Sequence, residues 1–151
     1  MNMSIRENIQ QVRENIAAAA LSAGRRPEDI TLVGASKMTQ KLAENAYDGA
    51  PLHFIGHLQR NKVKQVVGKV ALIESVGSYE LLEDIDRQAE KLGIVQPILL
   101  EVNVGGEEAK SGFAPESLEQ AAEEAKKCAN VRVRGLMCIP PVAEGEHGSL
   151  P

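Results

Sequence analysis

Apolar residues recur along this chain with two different periods, and each period predicts a different kind of element. Near the N-terminus they stand three or four positions apart, which is the spacing of one helix face. These residues are Ile5, Ile9, Val12 and Ile16. Ser4 and Glu7 have the spacing of a capping box, and Gly24 can end the helix.

Farther along, short continuous or alternating apolar runs predict buried strands. The predicted strands cover 30–37, 52–55, 70–76, 97–104 and 131–139. Helices are predicted between them, over 41–47, 58–67, 81–92 and 115–128. Ser78 can cap the third of these helices, and Gly93 can end it. Strands separated by helices favour a parallel sheet with right-handed crossovers, so the pattern predicts an α/β architecture.

In such a sheet the chemistry gathers beyond the carboxyl ends of the strands. Lys37 ends an otherwise apolar strand, follows small residues and has no carboxylate within three positions. An amine partly withdrawn from water is more readily neutral, and a neutral amine can condense with an aldehyde to form an imine. The alternative is a lysine that snorkels from the end of a strand. Lys37 is therefore the leading candidate for covalent capture of a carbonyl group.

The composition is that of an ordinary globular protein, with 43% hydrophobic and 25% charged residues among 151, and it favours a single domain over 1–151. The net charge of −4, without a sustained basic block, disfavours nucleic acid or an anionic membrane as the main partner. A small metabolite fits better. No stretch is apolar enough to span a bilayer, and the N-terminus lacks a signal pattern, so the cytoplasm is the expected compartment. The two cysteines form no C-x-x-C motif and are expected to be reduced.

Other motifs compete with simpler interpretations. His53 and His57 have the i, i+4 spacing of a zinc pair on a helix, but the residues between them favour a strand, so no metal site is predicted. The loop 105–112 has a Lys-Ser pair without the glycines of a phosphate loop, and we discard a nucleotide triphosphatase. Glu101 can tune the interior electrostatics or form a structural ion pair. A basic cluster, either a solvated face or a partner surface, contains Arg60, Lys62, Lys64 and Lys69.

Several segments also resemble one known family, in the same order along the chain. The longest is the run 53–64, with the sequence His-Phe-Ile-Gly-His-Leu-Gln-Arg-Asn-Lys-Val-Lys. The others are Ser36-Lys37, 75–78, 100–104, 106–107, 110–112 and 134–140. Together they resemble the pyridoxal phosphate homeostasis protein family, also called the YggS or PROSC family, over nearly the whole chain.

The resemblance implies a pyridoxal 5′-phosphate (PLP) protein of fold type III, which is a modified (β/α)8 TIM barrel like the N-terminal domain of alanine racemase. Lys37 matches the lysine that holds the cofactor as an imine. Asn103 and Met137, at the mouths of later strands, are candidates for lining the cofactor. Loop hydrogen bonding and core filling are their alternative roles.

The chain also departs from the family pattern. Between Gln40 and Lys41 it lacks the rest of a helix and a strand, and it ends after the sixth family strand. We therefore expect a partial PLP-binding barrel in which strands 2, 7 and 8 are missing. We favour omission from a longer parent molecule over a truncated product, because the surviving segments keep their core patterns.

The resemblance further implies that the protein holds PLP for intracellular PLP homeostasis, without a turnover of its own. A fold-type III amino-acid racemase is one alternative, although racemisation needs a second proton-transfer group. A protein-binding module that uses the basic helix 58–69 is another. The expected partners are the cofactor and, transiently, PLP-dependent apoenzymes, and we expect a monomer.

Overall fold

The structure is a computed structural model that describes residues 5–36, 50–105 and 111–140. The strands are β1 Gly34–Ser36, β2 Leu52–Phe54, β3 Leu72–Val76, β4 Gln96–Val102 and β5 Val131–Cys138. The α-helices are α1 Ile5–Ser22, α2 Val63–Val66, α3 Tyr79–Leu92 and α4 Leu118–Lys127, and 3-10 turns cover Pro27–Asp29, Arg60–Lys62 and Pro115–Ser117. The five strands form one sheet in the order β1-β2-β3-β4-β5. Every neighbouring pair is parallel, which confirms the predicted α/β architecture.

The first strand is shorter than predicted. A strand was expected over 30–37, but within the described residues the pairing begins only at Gly34. The Gly34 N–H donates to Pro51 O at 3.0 Å, and Gly34 is then the register partner of Leu52. Because proline has no N–H to donate, Pro51 cannot extend the ladder toward residues 30–33.

The helix predicted over 58–67 is also shorter. The Arg60–Lys62 segment is a 3-10 turn, and the α-helical part covers only Val63–Val66. Val67 then leaves the helical conformation, with φ −58° and ψ 129°. The helix predicted over 41–47 lies outside the described residues.

The helix α3 has both ends that the sequence predicts. Ser78 Oγ accepts a hydrogen bond from Leu81 N at 3.2 Å, and Gly93 takes a left-handed conformation with φ 64°. Leu92 was expected in the buried stripe but is 49% exposed in the last turn. The rest of the stripe joins a core that includes Leu82, Ile85, Ala89, Ile73, Ile98 and Leu100.

The helices α3 and α4 cover one face of the sheet, which we call the outer face. They contact β4 and β5, and the side chains that point toward them, such as Ile98 and Leu100, are almost fully buried. On the opposite, inner face, His53, Glu74 and Leu99 are only partly buried. Along β2 to β4, the inner face is therefore the more accessible one. Among the described residues, no helix is long and apolar enough to cross a membrane.

Gln96 is a buried amide at the amino end of β4. Its Oε1 accepts from Gly68 N at 2.9 Å, and its Nε2 donates to Val70 O and Pro97 O, each at 3.2 Å. Gln96→Leu should remove the hydrogen-bond partner of one N–H and two C=O groups and lower the free energy of unfolding by about 1–3 kcal/mol, measured by urea denaturation. The exposed Gln120→Leu is the control and should change it by less than about 0.5 kcal/mol. Equal losses in the two variants would refute this role of Gln96.

Candidate functional site

The carboxyl ends of the five strands meet at one edge of the sheet, because the strands are parallel and adjacent in order. Three predicted site residues belong to this edge by their place in the chain. Asn103 directly follows β4, and Met137 is the second-last residue of β5. Lys37 directly follows β1 but lies outside the described residues, so its role stays a prediction.

Met137 and Glu101 lie side by side at this edge. They are register partners on β5 and β4, and partners in register point to the same face of a sheet. Alternation along β4 places this pair on the inner face, opposite Leu100. Asn103 follows two residues after Glu101, and its N–H donates to Phe113 O at 2.9 Å. The structure thus brings Asn103 and Met137 to the same corner of the edge.

Glu101 is a buried carboxylate, and one of its two oxygens is bonded to another described residue. The residue is 7% exposed, and its Oε1 accepts a hydrogen bond from Ser111 Oγ at 3.0 Å. Its Oε2 is buried and has no hydrogen-bond partner among the described residues. Burying an ionised carboxylate is costly unless donors compensate it. A ligand that brings a hydrogen-bond donor to this oxygen would therefore be bound favourably.

The segment 111–113 lies beside the end of β4, in close contact with the loop after β3. The Phe113 N–H donates to Glu101 O at 2.7 Å. A Cβ atom built on Gly77 would lie 2.7 Å from Gly112 N, which is closer than real Cβ atoms come. Gly112 has φ 119°, and a Cβ there would also meet backbone atoms. Both positions therefore require glycine. They belong to the segments 75–78 and 110–112 that resemble the family, but the sequence did not predict that the two glycines meet.

His53 and Glu74 form a polar pair on the inner face. His53 Nδ1 lies 2.7 Å from Glu74 Oε1, and their side chains are 23% and 20% exposed. His57, which has the i, i+4 spacing of a metal partner of His53, is exposed after β2. In the described part of the chain, no group of three or more His, Cys, Asp or Glu residues could hold a metal ion. Ser75 is used structurally, because its hydroxyl donates to Gly56 O at 2.5 Å.

Known proteins are similar to this chain over nearly its whole length. The family described as alanine racemase, N-terminal domain, matches residues 17–149. The pyridoxal phosphate homeostasis protein of Aquifex aeolicus is 37% identical over 174 aligned residues, which cover 99% of this chain and 76% of that protein. Because this alignment is longer than the 151-residue chain, it contains gaps in this sequence.

Solved structures of proteins from the same families are also similar to this chain. The structure of PipY from Synechococcus elongatus with PLP bound is 30% identical, with a TM-score of 0.62 over 72% of this chain and 52% of that chain. An alanine racemase of Clostridium difficile reaches a TM-score of 0.60 at 19% identity, over 80% of this chain and 31% of that one. At that identity the likeness concerns the fold alone. The described sheet therefore belongs to a TIM-barrel-like α/β fold.

Proposed function

This chain belongs to the pyridoxal phosphate homeostasis protein family, and on that premise we propose that it binds PLP and serves the homeostasis of that cofactor. The observation that carries the proposal is the 37% identity to a pyridoxal phosphate homeostasis protein over 99% of this chain. PipY, whose structure contains PLP, supports it at 30% identity. The net charge of −4 also suits a small metabolite better than a nucleic acid.

The described residues fit a polar ligand at the carboxyl edge. Along β3 and β4 the outer face of the sheet is packed in the core, whereas the inner face carries partly exposed side chains such as His53 and Met137. Glu101 Oε2, which has no hydrogen-bond partner among the described residues, fits a ligand that brings a donor to this corner. Met137 can contact an aromatic ring through its polarisable sulfur. We propose Met137 and Asn103 as lining residues on these grounds, and we assign no residue to the phosphate group.

Lys37 is the residue that we propose for covalent holding. PLP, when bound, supplies an aldehyde that a neutral primary amine can capture as an imine. Lys37 is placed by the chain directly after β1, and that strand ends at the same edge as β4 and β5. This placement supports the proposal.

The strands β1–β5 account for part of a barrel of this class, which has eight strands. Within the described residues, β1 and β5 each pair on one side only. We propose that other segments complete the barrel in the intact molecule. The missing strands 2, 7 and 8, the single partial domain, the cytoplasmic location and the monomeric state stay predictions.

A titration tests the proposed binding. Adding PLP to the protein should produce the yellow absorption band of an imine, saturable at one cofactor per chain. Pyridoxamine 5′-phosphate carries the same ring and phosphate but an amine in place of the aldehyde, so it should produce no band. Absence of a saturable PLP signal would reject the proposal, and the pyridoxamine control separates imine formation from simple binding.

An amino-acid racemase is the second candidate, favoured by the match to the alanine racemase N-terminal domain. A racemase must remove and return the α proton of its substrate, which requires proton-transfer groups on both sides of that carbon. We expect the PLP-loaded protein in D2O to exchange the α proton of L-alanine no faster than free PLP does. Exchange at enzymatic rates, followed by proton NMR, would overturn the carrier proposal in favour of the racemase.

A further inference from the structure

A groove of about 360 Å³ lies between α3 and the turn that leads into α2. Its charged and polar lining residues include Arg60, Lys64, Asp84, Arg87, Gln88 and Lys91. Four of them are cationic and one is anionic, whereas the chain as a whole has a net charge of −4. This cationic groove is therefore a local positive surface on an acidic protein, and neither the fold nor PLP binding explains it.

Asp84 holds two arginine side chains at the groove. Arg60 Nε donates to Asp84 Oδ2 at 2.5 Å, and Arg87 Nη2 donates to Asp84 Oδ1 at 2.6 Å. The hydrogen bond from Arg60 lowers the pKa of the Asp84 carboxyl, so Asp84 is ionised at neutral pH. One carboxylate cannot neutralise two guanidinium groups. Because the arginine side chains are 57% and 60% exposed, their remaining N–H donors are accessible to a ligand.

Lys64 and Lys91 extend the positive surface. Both are exposed, and neither forms an ion pair with another described residue. Glu80 and Glu83 act on Arg60 from the first turns of α3. They reduce the positive potential around Arg60, whereas no ion pair with a described residue reduces the charge of the two lysines.

The cationic residues are spaced along the groove rather than gathered at one point. Arg87 and Lys91 follow Asp84 by three and seven positions on α3, which places them on one side of the helix. Seven helical residues extend about 10 Å. A single phosphate or free carboxylate would contact only part of this length, whereas a peptide segment with two or three acidic side chains would contact all of it.

We propose that the cationic groove binds an acidic segment of a partner protein. The arginine forks bind carboxylates in two-point hydrogen bonds, the lysines add charge, and the Gln88 amide can bond to the backbone of the segment. The surface is distinct from the inner face of the sheet, so the proposal does not depend on PLP binding. The net charge of −4 favours a protein segment over nucleic acid, which needs a broader basic surface.

The test uses a fluorescein-labelled peptide of alternating glutamate and alanine, with the same peptide carrying glutamine as the neutral probe. We expect the acidic peptide to bind at low salt, measured by anisotropy, and to be released as sodium chloride is added. The double variant Lys64→Glu/Lys91→Glu should bind it about tenfold more weakly, because two attractions become repulsions. The control Lys126→Glu/Lys127→Glu, on exposed α4, should bind within about twofold of the parent.

Three outcomes would overturn the proposal. The first is that the neutral peptide binds as tightly as the acidic one. The second is that the two double variants bind the acidic peptide equally well. The third is that single-stranded DNA displaces the labelled peptide at a lower concentration than unlabelled acidic peptide does. Circular dichroism should show that each variant is folded, since all four substituted lysines are exposed.

Discussion

Replacing Lys37 with alanine should remove the imine band that PLP produces with the parent protein. The affinity for PLP should fall by at least about tenfold, or about 1.4 kcal/mol, because the covalent bond is lost while the noncovalent contacts remain. Absorption spectroscopy during a PLP titration measures both quantities. The fold should be little affected, since Lys37 follows a strand that pairs through residues 34–36.

The control for this variant is another lysine on the same protein. Lys69→Ala removes an exposed amine that has no ion pair among the described residues, and it should leave the band and the affinity unchanged. If Lys37→Ala retains a band of parent intensity, Lys37 is not the capturing amine, even if PLP still binds. If both variants lose the band, the effect is not specific to one lysine.

Gly112→Ala should be the most destabilising single substitution in the described part of the chain outside the hydrophobic core. The alanine Cβ would lie 2.8 Å from Asn103 N, at a residue with φ 119°. Backbone strain and the forced shift of a tightly packed segment together should cost about 3–5 kcal/mol in the free energy of unfolding. Chemical denaturation measures the loss. Because Ser111 bonds to Glu101, the same shift should also weaken PLP binding.

Substitutions at two other glycines separate the backbone strain from the close contact as causes of the lost stability. Gly24→Ala introduces a side chain at φ 67° with nothing within 4 Å, so it reports the backbone strain alone, about 1 kcal/mol. Gly77→Ala places its Cβ 2.7 Å from Gly112 N and reports the contact of the two segments. A Gly112→Ala variant no less stable than Gly24→Ala would show that the close approach contributes nothing.

Local patterns were sufficient to predict much of the fold. The Ser78 cap and the Gly93 terminus of α3 depend on residues a few positions apart, and both are found as expected. The parallel sheet follows from the alternation of strand and helix periods. The extent of β1 depends instead on Pro51, which directly precedes the neighbouring strand β2. Periodicity within one segment carries no information about such a partner.

The candidate site, too, could be predicted from the sequence only in part. The prediction that Asn103 and Met137 lie at one edge is met, because strand order and direction are enough to place them. The bond from Ser111 to Glu101 and the contact of Gly77 with Gly112 were not predicted. They join residues ten or more positions apart through turns, and only the register of the strands determines such contacts.

Borohydride reduction of the PLP-loaded protein, followed by peptide mass spectrometry, identifies the amine that captures the cofactor. Reduction converts an imine into a stable amine, so the site of attachment survives digestion. We expect one modified peptide, with the cofactor on Lys37. Modification of a different lysine, or PLP binding that leaves no lysine modified after reduction, would contradict it.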